Sequence, residues 1–114
     1  MSGTVFYKEG VSWCPASWAY KALLTPVMND LDSRNRHDLG QQILEGLPPR
    51  MEFVDLSGWG EKDLMTLLES VRRVYSQFKN KGPEGWRSVD FYNGFLESVM
   101  ELQDLLKRIA NCQE

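Results

Sequence analysis

In the stretch SWCPASW, residues 12–18, a cysteine stands between a β-branched and aromatic run, TVFY, and an apolar run, AYKALL. Cys14-Pro15-Ala16-Ser17 has the form of a monothiol redox motif at a helix start, where the helix N-terminus would lower the thiol pKa and expose a nucleophilic thiolate. The same four residues also describe plain helix initiation, with Pro15 at a first-turn position and Ser17 as the cap. The second cysteine, Cys112, lies at the far end of the chain. The pair has no metal-ligand spacing, and in a reducing compartment a bridge between them is not expected. Helix initiation is therefore the reading adopted.

Other reactive patterns are sparse. His37 is the single histidine, and its neighbours Arg34, Arg36 and Asp38 place it on a solvated helix face rather than in a base or ligand constellation. SGWG and GPEG lack the spacing and the Lys-Ser/Thr of a phosphate loop, and no Gly-x-Ser-x-Gly nucleophile elbow occurs. Glu61 with Asp63 and Asp90 with Glu97 are carboxylate pairs of the kind used in acid/base chemistry. Helix first-turn placement accounts for the first pair and a solvated face for the second. The expectation is a protein without catalytic residues, cofactor or metal.

These residues must be carried by a chain of 114, enough for one domain with its own core, 1–114. Apolar residues make up 42% and include four Trp, four Tyr and five Phe, too many large hydrophobes for disorder. The net charge of −3 is spread over both halves without a basic lobe, which argues against direct nucleic-acid binding, since displacing counterions from phosphates needs a concentrated positive stripe. Nothing approaches a bilayer-spanning run, and MSGTVFYKEG lacks the basic and apolar regions of a secretory signal. The chain is read as cytoplasmic, with no membrane partner.

Periodicity sets the elements. TVFYKEGVSW reads as one or two short strands around a Glu9-Gly10 turn, within residues 4–13, and MEFVDL, residues 51–56, as a short strand able to pair with it. Tyr20, Leu24, Val27 and Leu31 form a helical stripe that Pro26 should kink or divide. Asp32 or Ser33 would cap a second helix over Arg34 to Glu45, with Leu39, Ile43 and Leu47 on its apolar face. Leu64, Leu67, Leu68, Val71, Val74, Tyr75 and Phe78 mark a long third helix ending before Gly82. Ser88 caps a fourth, faced by Tyr92, Phe95, Leu96, Val99, Leu102, Leu106 and Ile109, in which Gly94 costs about 1 kcal/mol relative to Ala. A short linker makes these last two an antiparallel hairpin. The fold class is thus mainly α, a small four-helix bundle-like domain with a minor β element. Residues 4–24 are similar to the opening of a thioredoxin-like fold, but two long helices fill the region where that fold needs its later strand, cis-proline and hairpin.

Trp59 and Trp86 sit in glycine-flanked connections, SGWGEKD and PEGWRSVD, just before the two long helices. As hydrophobic staples they pack on their helices' first turns; as binding residues they are hot-spot types, with Glu61, Asp63, Glu84 and Asp90 to complement a basic partner. Met28, Met65 and Met100 either fill the core or line an adaptable groove. With its VFYKEG strand, Trp-bearing turns, small size and acidic balance, the chain resembles the immunity proteins that bacteria pair with toxins of contact-dependent growth-inhibition and related polymorphic systems. That resemblance implies stoichiometric, non-enzymatic neutralisation of a cognate toxin domain, often a basic nuclease, by occlusion of its active site, and a monomer or weak homodimer. The alternative is a helical adaptor or regulatory subunit that docks a partner or self-associates.

Overall fold

Alternation and helical periodicity are realised in a computed structural model that describes residues 3–47 and 52–111. The order is β1 (Thr4–Lys8), β2 (Val11–Trp13), α1 (Ser17–Ser33), α2 (His37–Glu45), β3 (Phe53–Asp55), α3 (Glu61–Lys81) and α4 (Val89–Asn111). Among the described residues the fold is mainly α, with four helices and one small sheet ordered β2-β1-β3. β1 and β2 are antiparallel about a turn in which Gly10 takes φ 81°, a conformation that costs glycine little. β3 joins β1 in parallel, pairing Val5 with Val54. Met51 lies outside the described residues, so the expected 51–56 strand is seen as Phe53–Asp55. Val5, Trp13 and Val54 are buried, while Phe6 and Phe53 stack, centroids 5.8 Å apart, with Phe53 exposed.

The four helical stripes meet in one core. Leu64, Leu67, Leu68 and Val71 of α3 and Phe95, Val99, Leu102 and Leu106 of α4 are all at most 2% exposed, and each such leucine contributes about 1.5–3 kcal/mol by burial. α4 runs antiparallel to α3: Phe78 near the end of α3 packs on Phe95 in the second turn of α4, centroids 4.8 Å apart, and Tyr92 Oη donates to the Phe78 carbonyl. α1 is antiparallel to α3 as well. Arg34 near its end reaches Glu69 at 2.7 Å, and Asp30, one turn earlier, accepts Arg73 at 3.2 Å.

Three expectations at helix boundaries are corrected. α2 begins at His37, not Arg34, because Asn35 adopts φ 62° and breaks the helical path. Neither Asp32 nor Ser33 caps it: Ser33 Oγ donates back to the Asp30 carbonyl, and the α2 N-terminus has no side-chain cap. Ser17 does not cap α1 either. Its hydroxyl donates to both Glu52 carboxylate oxygens, at 2.7 and 2.8 Å, so a charge from the β3 end of the chain stands at a helix N-terminus whose own first turn has no acid. α1 continues unbroken through Pro26, flanked by buried Leu24 and Val27, so core burial outweighs the proline's missing N–H. Ser88 does cap α4, accepting the Phe91 amide at 3.1 Å.

Candidate partner-binding face

Aromatic side chains gather where α1 and α4 both begin. Trp18, in the first turn of α1, meets Phe91 at 5.7 Å between centroids and both Trp86 and Phe95 at 6.1 Å. Trp86 is half-buried and bridges inward, 5.1 Å from Phe95, 5.6 Å from Tyr92 and 6.1 Å from Phe78. The edge-to-face pairs among these, Trp18–Trp86, Trp18–Phe91, Trp86–Phe78 and Trp86–Tyr92, are worth about 0.5–1.5 kcal/mol each beyond burial, so the rings hold one another in place. Yet Trp18 remains 43% and Phe91 42% exposed. Together with Trp86 and Arg87 they line an apolar hollow of 340 Å³, with the Arg87 guanidinium 5.4 Å above the Phe91 ring. Large aromatics already fixed in position lose little side-chain entropy on contact, which suits them as anchors for a partner.

Glu84 and Asp90 are exposed beside this cluster, and neither has an ion pair among the described residues. Of the six residues singled out in the sequence, Glu84, Trp86 and Asp90 therefore come together at one end of the hairpin. The other three stand at the opposite end, about 30 Å away along the 21 residues of α3. There Trp59 is 5% exposed and its indole N–H donates to Gln42 Oε1 at 2.8 Å, tying α2 to the start of α3. Asp63 accepts Arg36 at 2.7 Å, and Glu61 is exposed in the first turn of α3. Arg36 also hydrogen-bonds Asp38, which holds that carboxyl below the usual carboxylate range and raises the guanidinium further. Trp59 thus serves the core, leaving almost none of its ring for a partner.

The thiol stands apart from both groups, while the imidazole lies between Arg36 and Asp38 beside the second. Cys14 is a free, exposed thiol whose neighbours are the hydroxyls of Ser12 and Thr4, at 3.6 and 3.8 Å. Cys112 is outside the described residues. His37 is exposed and 3.3 Å from Asp32. Among the described residues no three His, Cys, Asp or Glu side chains are grouped to hold a metal ion, and no helix is long and apolar enough to cross a membrane. Met28 packs against the core, whereas Met65 and Met100 are exposed.

Sequence reasoning missed Trp18 and Phe91. The available signal was phase for Trp18, which is two residues from Tyr20 and about 200° around α1; Phe91, four residues before Phe95, is in phase with the buried stripe of α4 and carried no such signal. A large aromatic outside the buried stripe of an otherwise regular helix is the residue to question. No protein family model, curated protein or solved structure matches this chain.

Proposed function

We propose that this chain is a non-enzymatic protein-binding module whose contact face is the Trp18–Trp86–Phe91 cluster and that, in its specific form, it is an immunity protein neutralising a cognate bacterial toxin by stoichiometric binding and occlusion. The observation that carries the reading is the exposure of two large aromatics held rigidly by their neighbours at one end of the bundle. Glu84 and Asp90 at its rim favour a partner with basic groups, and the toxin reading rests on the resemblance in size, charge and composition.

The test takes the purified chain with the toxin domains encoded beside its gene and measures both binding and toxin activity. A domain silenced at one equivalent supports the reading. Trp18→Ser and Phe91→Ser should each cost about 2 kcal/mol or more, roughly thirtyfold in Kd, while Trp18 and Phe91 variants keep the helical fold. Binding that survives the double substitution rejects this face. A chain that recovers only its own copies, as a stable dimer, replaces the toxin reading with the adaptor.

A further inference from the structure

The aromatic cluster is the head of a longer feature. From Val89 to Leu106, α4 carries four acids, Asp90, Glu97, Glu101 and Asp104, and no basic residue. Their spacings of 7, 4 and 3 set them on one stripe of the helix, and all four are exposed. None has a hydrogen bond or ion pair among the described residues, although like charges one turn apart repel. Beside this stripe, α4 and the β2–α1 connection enclose a groove of 720 Å³, floored by Ser98 and Leu105, walled by Cys14 and Pro15, and edged by Glu101 and Asp104. Trp13 holds the wall in place by donating its indole N–H to the Ser98 carbonyl at 2.8 Å. Gly94 leaves open space between the cluster and the groove, since a Cβ there would meet nothing within 4 Å.

We infer that this flank of α4 receives a basic polypeptide segment of the partner, its apolar anchor seated on Trp18 and Phe91 and its Lys or Arg side chains facing Glu97, Glu101 and Asp104. The inference rests on the aromatic face being the partner site and adds the chemistry of what lies there. Charge selects the occupant: a phosphate backbone or an acidic peptide would be repelled by four carboxylates that form no ion pair among the described residues, whereas a basic segment gains from each, even with Lys107 and Arg108 in the groove's lining. Length agrees, because Phe91 to Asp104 spans about 20 Å, the reach of roughly six extended residues. Lys107 and Arg108 close the far end and fix polarity, since the segment must carry its anchor at the α4 N-terminal side. Lys79 stands over the Tyr75 ring, which shares a hollow with Glu97 and Glu101, but forms no ion pair with either among the described residues.

The probe is a synthetic ten-residue peptide with one Trp followed by four lysines, compared with its glutamate-for-lysine twin, each titrated into the ¹⁵N-labelled full chain. The lysine peptide should shift the Trp18 indole and the amides of Phe91, Ser98 and Glu101, and bind at least tenfold more tightly than the twin. A surface variant, E97Q/E101Q/D104N, should remove that preference while its spectrum stays dispersed. Equal binding of the two peptides at the Trp18 cluster overturns the charge inference and leaves the aromatic face standing. Shifts confined to other acids, such as Glu61 or Glu69, overturn it as well. Failure of the aromatic-face reading is distinct: there the cognate partner still binds after Trp18 and Phe91 are replaced.

Discussion

Tyr20 shows how much a single position decides. It is fully buried, its hydroxyl donates to the Gly46 carbonyl at 2.6 Å, and its ring stacks on Trp13 with centroids 6.5 Å apart and planes inclined by 25°. Tyr20→Phe leaves that carbonyl without its donor and should cost about 1–3 kcal/mol, read as a lower urea midpoint with an unchanged m-value. Burial, and secondarily the charge of Glu52, push the Tyr20 hydroxyl well above its ordinary pKa of 10.0. Because the folded value is raised, this contribution is complete below about pH 10 and is lost as pH rises above it, where the unfolded chain ionises first. Stability should therefore fall above pH 10, and Tyr20→Phe should remove that part of the decline. Asp38 and Asp55 act with the opposite sign: Arg36 holds the first below the usual range and the Ser57 hydroxyl and amide hold the second. Their contributions are present above about pH 4 and disappear as pH falls through their lowered values.

Two glycines separate what elements demand locally from what packing demands of them. Gly94 lies on the solvent side of α4 with open space around its Cα, so Gly94→Ala should gain about 0.5–1 kcal/mol from helix propensity, roughly 3–5 °C in Tm. Gly46 ends α2, and a Cβ there would stand 2.5 Å from Val54 Cγ2 and 2.6 Å from the Phe53 carbonyl oxygen. Gly46→Ala must displace β3 and should destabilise by about 1–3 kcal/mol, seen as an earlier thermal transition. In sequence the first reads as a flaw in a helix and the second as a stop signal; only the approach of β3 reveals why the second has no room. The same distinction explains the α1–α2 junction. Asp32 and Ser33 are good cap types, but Asn35 takes the left-handed conformation that asparagine tolerates, and the Arg36 amide bonds to the Leu31 carbonyl at 2.9 Å.

For the whole molecule, the small net charge of −3 hides an uneven distribution, with the acids of α4 gathered on one side. If a basic partner docks there, raising salt from about 50 to 500 mM should slow association at least roughly tenfold and change dissociation by less than about threefold, as measured by stopped-flow mixing. A flat association rate would show that apolar contact alone governs encounter. The mainly α class, the long α3 and α4, the Ser88 cap and most core residues were legible in the sequence, because a 3.6-residue apolar period and local capping chemistry act within one element. The tertiary structure alone decided that Trp59 is buried while Trp18 is left partly bare and that Ser17 holds Glu52 instead of capping. Those outcomes depend on which surfaces other elements cover, and such contacts between distant residues leave no periodic trace in either segment.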